Sequence, residues 1–321
     1  MSKQLTLEKE IEDNDLRITT SAPGKVILFG EHAVVYGEPA LSTAISLRVF
    51  NEVSITSRPF ECENPYLREI ISLYGIYVNT RTWGDLPVAS GLGSSAAYSV
   101  STIAGIEYIH TKRLDLMKIA RNGFEVEYNA QGRASPNDTS VATLGGYVIL
   151  SRSIHSGFMW RIEKGNIFWN IHKMKLTPLK IVIVYTGKPS KTGEMVALVK
   201  SLYEKYENVR AAIKRIGEIV LEAVDLIKSN DLDSIGKKMR ENHELLRKIG
   251  VSNSELDNIV KVLSRYCYGA KITGAGGGGS VIGLLREGAS KRILEAFRGS
   301  GYTLYFVETG MEGVTVEGFD S

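Results

Sequence analysis

Cysteine is nearly absent: the 321-residue chain holds only Cys62 and Cys267. Two thiols this far apart make no disulfide framework, which excludes the small stapled scaffolds of secreted proteins. Proline is sparse at 8 residues, and no run of 18 apolar residues occurs. Neither a collagen-like or low-complexity chain nor a membrane-spanning helix is therefore expected. An excess of one charge is missing as well. The 39 basic and 36 acidic residues leave a net +3, far short of the surplus of a dedicated nucleic-acid binder. That balance still leaves room for a local site that takes a small anion. The opening stretch Met1–Arg17 is charged throughout, without the apolar core of a secretory signal. These absences predict a cytoplasmic protein that engages neither nucleic acid nor membrane.

What remains is an ordinary globular composition, 43% hydrophobic and 23% charged. A chain of this length buries roughly three quarters of its unfolded surface and suits two domains. Short β-branched runs at Leu16–Ala22, Val26–Phe29 and Arg48–Thr56 predict strands, and the first fifteen residues a polar extension. Apolar spacing predicts helices over Tyr66–Tyr74, Ser94–His110 and Asp115–Asn129, the last ended by a turn-rich Gln131–Asn137. Beyond Leu176–Lys180 the pattern changes: a buried-type strand Ile181–Tyr185, a long charged amphipathic stretch Glu194–Ile249, then strands, a helix and a strand to Val307. That order suggests a split βαβ arrangement in an α+β protein, with a domain boundary near residue 176, giving 1–176 and 177–321.

Glycine is the one residue in excess, 32 of 321 or about 10% against an average near 7%. It clusters at Gly24–Gly37, Gly91–Gly93 and Gly274–Gly279. The second and third clusters match G-x-G-x-x-G/A, but neither has the strand-before, helix-after context of a dinucleotide site. No Walker A sequence and no protein-kinase landmark accompanies them. The loop Ser90–Ala97 nevertheless opens a helix, where free N–H groups and the positive dipole end favour a phosphate. Five glycines in six positions at Gly274–Gly279 exceed what a hairpin turn requires, and point to close approach of ligand or backbone. In the first cluster Lys25 leads into an apolar strand that ends at Gly30-Glu31-His32. Taken singly these are a solvated Lys and Glu and a packing His; together they could converge on one polar substrate.

The three segments, in this order, resemble the GHMP kinases, small-molecule kinases whose ATP loop is unrelated to Walker A. The resemblance spans about residues 20–310. KVILFGEHAVVYG (Lys25–Gly37), PVASGLGSSAA (Pro87–Ala97) and KITGAGGGGS (Lys271–Ser280) carry it, and the first of these is similar to the mevalonate kinase branch. The resemblance implies an N-terminal domain like ribosomal protein S5 domain 2, a ferredoxin-like C-terminal domain, and transfer of phosphate from ATP, with Mg²⁺, to the 5-hydroxyl of mevalonate in isoprenoid synthesis. It assigns catalysis to Asp138 and Lys25. It assigns ATP to Pro87, Val88, Ala89, Ser90, Gly91, Leu92, Gly93, Ser94, Ser95, Ala96, Ala97, Gly274, Gly276 and Gly277. Ser95 and Glu127 would hold Mg²⁺, and Glu31, His32 and Thr192 would join Lys25 and Asp138 at the substrate. A homodimer follows by the same analogy. Glu125 and Glu127 lie about 200° apart around a helix, so only one can face the metal. The segment before Asp138, ASPN, differs from the Gly-x-Asp turn frequent in the family. A sister kinase acting on phosphomevalonate, homoserine or a sugar, or an inactive sensor on the same scaffold, remains an alternative. The three tryptophans and the four other histidines are expected to be structural.

Overall fold

The computed structural model describes residues 16–320 apart from Phe60, Ala89 and Arg133. The expected polar extension and the candidate residue Ala89 therefore lie outside the described residues. The chain begins with two long strands, β1 (Arg17–Phe29) and β2 (Ala40–Thr56), separated by a 3-10 turn over Ala33–Tyr36. There follow α1 (Pro65–Tyr74), β3 (Tyr77–Gly84), α2 (Ser94–Thr111), α3 (Leu116–Gln131) and α4 (Pro136–Leu144). Three short strands come next, β4 (Tyr147–Ser151), β5 (Phe158–Lys164) and β6 (Ile167–Met174). The second half runs β7 (Lys180–Tyr185), α5 (Thr192–Lys205), α6 (Glu207–Lys228), α7 (Leu232–Lys248), α8 (Ser254–Leu263), β8 (Cys267–Thr273), β9 (Ser280–Leu285), α9 (Ser290–Ala296), β10 (Thr303–Glu308) and β11 (Thr315–Asp320).

Among the described residues these strands make one seven-stranded sheet, ordered β11-β1-β2-β4-β6-β5 with β3 also on β2, and one four-stranded sheet, β10-β7-β9-β8. The second is antiparallel throughout, with α5–α8 crossing between its first two strands and α9 between its last two. That is the split βαβ arrangement the sequence predicts. The chain passes from one sheet to the other between Met174 and Lys180, but β11 leaves the second half and pairs with β1. The last strand thus belongs to the first sheet, which corrects the expectation that everything after residue 176 forms one unit.

Local sequence explains most of the elements. Pro23 and Gly24 do not split the first strand in two as expected. The register shifts between Pro23 and Lys25, so the missing proline N–H falls at a bulge. At Gly24 a Cβ would sit 2.4 Å from Leu86 Cδ1 and 3.0 Å from the Leu92 carbonyl oxygen, so a larger residue would have to displace Leu86. The expected turn before Asp138 is in fact a helix start: the Ser135 side chain accepts from the Asn137 N–H and Pro136 takes the first helical position. Helix α2 is built of small residues and is buried on nearly every side between the first sheet and its neighbours. It anchors a core that includes Val26, Ile45, Ile103 and Ile149. A second core, with Val182, Ile272, Val281 and Leu263, lies under the four-stranded sheet. Both cysteines are free thiols. Among the described residues no helix is long and apolar enough to cross a membrane.

Candidate active site

A cavity of about 1170 Å³ opens where the three glycine segments meet. Residues from β1, the loop before α2, the ends of α3 and α4, the start of α5 and the β8–β9 turn all face it. Lys25 projects from the bulged part of β1, whose N–H donates to the Leu92 carbonyl at 2.8 Å. This contact ties the strand to the loop that opens α2. Gly93, at φ +81°, lets the lysine stem pass: a Cβ there would meet Lys25 Cγ at 3.0 Å.

The Lys25 ammonium lies 3.3 Å from Asp138 Oδ2, in a side chain 7% exposed against 34% for the aspartate. Asn137 Nδ2 donates to the other carboxylate oxygen of Asp138 at 3.1 Å. Asp138 occupies the first turn of α4, where the helix dipole favours an anion. Its two oxygens are thus fixed from two directions while a third of the side chain remains open to the cavity.

Glu127 stands at the same cavity in a different setting. Ser95 Oγ donates to its Oε2 at 3.0 Å and Gln131 Nε2 at 2.8 Å. No cation is among these partners. Burial, reinforced by the negative charge of Asp138, pushes the Glu127 carboxyl up to about 7, against the opposing bonds from Ser95, Ser99 and Gln131. Glu125 points elsewhere and pairs with Lys164 at 2.5 Å, so the helical geometry does separate the two glutamates. A buried carboxylate without a counter-charge among the described residues, beside a hydroxyl at a helix start, suits a hard divalent cation with oxygen ligands. Among the described residues no group of three or more His, Cys, Asp or Glu could hold a metal, so the remaining ligands would come from a bound molecule or water.

Val88, Ser90, Gly91, Gly93, Ser94, Ser95, Thr192 and Gly274 also line the cavity. Pro87 does not; its carbonyl accepts from Ser90 Oγ at 2.9 Å and shapes the loop. Leu92, Ala96 and Ala97 are fully buried and are absent from the cavity wall; their side chains support the loop. Gly276 and Gly277 do not line the cavity. A Cβ on Gly276 would lie 2.1 Å from the Val251 carbonyl oxygen, and one on Gly277 2.9 Å from Met195 Sδ. Their glycine requirement comes from protein packing, whereas Gly274, at φ +81° with nothing near its missing Cβ, borders the cavity.

Glu31 and His32 reach the site, but their polar atoms are already engaged. Lys271 donates to Glu31 Oε1 within a fully buried pair. Burial drives the Glu31 carboxyl up and the Lys271 ammonium down, each opposed by the other's charge. His32 Nε2–H donates to the Ala275 carbonyl at 2.8 Å. Because that oxygen only accepts, the proton sits on Nε2, and burial holds the ring neutral by lowering its pKa. Sequence reasoning missed Asn137, Gln131 and Lys271. It also took Trp83 for a packing residue only. Trp83 is 45% exposed, lines the cavity and stacks on Phe50 with ring centroids 5.9 Å apart. Trp160 and Trp169 are packed as expected, the first 5% exposed and the second against Phe124. None of the other four histidines lines the cavity.

The fold and cavity together are those of a small-molecule kinase with a glycine loop at a helix start beside the cavity. Residues 65–146 match the family model "GHMP kinases N terminal domain" and residues 223–303 match "GHMP kinases C terminal". The chain belongs to the GHMP kinase family. Within it, the chain is 32% identical to the mevalonate kinase of Pyrococcus furiosus, over 94% of this chain and 99% of that one. It is 35% identical to the mevalonate kinase of Archaeoglobus fulgidus, over 92% and 99%. The crystal structure of the Methanococcus jannaschii mevalonate kinase superimposes with a TM-score of 0.76 at 30% identity, covering 92% of this chain and 99% of that one.

Proposed function

We propose that this protein transfers the γ-phosphoryl group of ATP to the 5-hydroxyl of mevalonate, giving 5-phosphomevalonate and ADP. Near-full-length likeness to mevalonate kinases supports the substrate. The observation that carries the chemistry is that the Lys25–Asp138 pair and the Ser95–Glu127 pair face one cavity, beside the Ser90–Ser95 loop.

Phosphoryl transfer asks mainly for positioning and charge stabilisation. Asp138 takes the proton of the 5-hydroxyl as its oxygen bonds to the γ-phosphorus and the bond from phosphorus to the bridging oxygen of ADP breaks. Lys25 offsets the charge that develops on the attacking and transferring oxygens. Backbone N–H groups of the loop and of the first turn of α2 take the phosphates. Ser95 and Glu127 would hold Mg²⁺, which when bound neutralises phosphate charge. Thr192, at the start of α5, faces the cavity from the second half of the chain. The same proposal includes a cytoplasmic homodimer. It also divides the chain into two units near residue 176, with Thr315–Asp320 counted with the first.

The test is ADP release with ATP, Mg²⁺ and mevalonate, with phosphomevalonate and homoserine offered in parallel, for wild type and Asp138→Asn. Turnover of mevalonate alone is expected, falling ~10²–10⁴-fold in the variant with nucleotide binding retained. Turnover of another alcohol instead would refute the substrate, and turnover of none would refute the enzyme.

A further inference from the structure

Among the described residues, five side-chain contacts join the two halves of the chain around the cavity, and four of them end on the β8–β9 hairpin that carries the third glycine cluster; one is Ser280 Oγ, which donates to the Ser90 carbonyl at 3.1 Å. Thr273 Oγ1 donates to the Ile27 carbonyl at 2.9 Å and accepts from the Ile27 N–H at 3.1 Å, continuing the pairing of β1 where β11 has ended. His32 donates to Ala275. Lys271 donates to Glu31 and to the Ile272 carbonyl, the latter at 2.7 Å. Asn242 of α7 donates to the other Glu31 oxygen at 3.4 Å. Glu31 is 1% exposed and Lys271 is wholly buried. His32 adopts φ 62°, ψ −38°, an unfavourable conformation for a residue with a side chain. Such strain persists only where surrounding contacts impose it.

We propose that Glu31 and Lys271 form a positioning clamp that sets the Gly274–Gly279 turn against the nucleotide, and that Glu31 does not itself bind substrate. Both of its oxygens serve the hairpin and α7. A buried ion pair is a poor device for raw stability, since an apolar pair of similar volume often does as well. Its value here is directional. A lysine three residues before Gly274 fixes the hairpin's height relative to β1, and His32 pins the turn at Ala275, two residues after the Thr273 anchor. Losing one charge leaves the other buried and free to shift the hairpin, whereas losing both removes that force.

The inference rests on the kinase reading above, and the experiment separates the two. Nucleotide affinity is measured by quenching of tryptophan fluorescence, since Trp83 lines the cavity, and turnover is measured alongside it. The proteins are wild type, Glu31→Gln, Lys271→Met and the double variant. Each single variant is expected to weaken ATP roughly tenfold or more and to lower kcat, leaving the KM for mevalonate within about twofold. The double variant is expected to be no worse than the poorer single one, as interacting sites are non-additive. If Lys271→Met does not fold, Glu31→Gln and the double variant carry the comparison. A rise in mevalonate KM in Glu31→Gln with ATP affinity unchanged would overturn the clamp in favour of direct substrate contact. A fall in Tm with kcat, KM and ATP affinity all unchanged would overturn it in favour of a purely structural pair. If wild type turns over no mevalonate, the substrate proposal fails, and the clamp is still judged on ATP affinity.

Discussion

Replacing Glu127 by Gln should stabilise the apoprotein. A carboxyl whose ordinary value is 4.5 is pushed up to about 7 by burial and by Asp138. Between those two pH values the folded state holds a proton that the unfolded state has released, so wild-type stability falls as pH rises through the window. Above pH 7 the full cost is present, about 3 kcal/mol at 1.36 kcal/mol per pH unit. Glutamine is the neutral isostere. Its amide oxygen can still accept from Ser95, and it has no proton to lose. The variant should therefore match wild type near pH 4.5 and exceed it increasingly up to pH 7, by roughly 5 °C in Tm for a chain of this size.

The assay is thermal unfolding at half-unit steps from pH 4.5 to 8, in EDTA and without nucleotide. Parallel wild-type and variant profiles across that range would refute the electrostatic account of Glu127. Repeating the scan at pH 7.5 with Mg²⁺ and a non-hydrolysable ATP analogue adds a second condition. Wild type should gain more than the variant, because a dication supplies the counter-charge that the carboxylate lacks.

Three further outcomes follow from the same geometry. Apparent Mg²⁺ affinity in the kinase assay should weaken by up to tenfold per pH unit below about 7, as the proton and the metal compete for Glu127; a flat profile from pH 8 to 5.5 would argue against Glu127 as a ligand. Asn137→Ala should lower kcat by ~10–100-fold with little change in either KM, since a bond to a carboxylate is worth about 1.5–3 kcal/mol, and steady-state kinetics at saturating ATP will show whether kcat moves. Gly274→Ala should cost only about 1–2 kcal/mol for its left-handed backbone, whereas Gly276→Ala adds a clash with the Val251 carbonyl and should cost visibly more; equal losses in urea unfolding would contradict that distinction.

Much of this site was legible in the sequence because phosphate chemistry leaves a one-dimensional trace. Glycine clusters, a helix start and a Lys leading a strand are local features, and Lys25, Ser95 and Glu127 all face the cavity. The errors arose where the deciding contact is distant in sequence. Nothing local distinguishes Gly276 from Gly274, because the Val251 carbonyl that selects glycine at Gly276 comes from the connection between α7 and α8. Lys271 is 240 positions from Glu31, so its burial could not be foreseen from a charged residue in a strand. Likewise β11 pairs with β1 across almost the whole chain, and a pattern read in windows assigns it to its sequence neighbours. The turn before Asp138 was a different kind of miss. Ser135-Pro136 is a cap followed by a first-turn proline, so a helix start was readable there and the polar composition obscured it.

The charge inventory of the cavity explains why a chain of net +3 can still handle a polyanion. Of the lysines that line the cavity, Lys25 is committed to Asp138 at 3.3 Å and Lys191 to Glu194 at 3.2 Å, while Glu31 is held by the buried Lys271 behind the wall. Among the described residues that leaves Glu127, at the same wall, as the carboxylate with no cationic partner. Phosphates entering such a site meet N–H donors rather than a cationic cluster, and N–H donors alone do not offset several negative charges. On the proposed mechanism the missing positive charge arrives with the nucleotide as its divalent ion, and Glu127 is the protein group that favours that pair over bare ATP. Pre-placing a lysine there instead would hold product ADP as firmly as ATP. A buried, protonatable carboxylate costs stability in the empty protein, and that cost is what the Glu127→Gln profile measures.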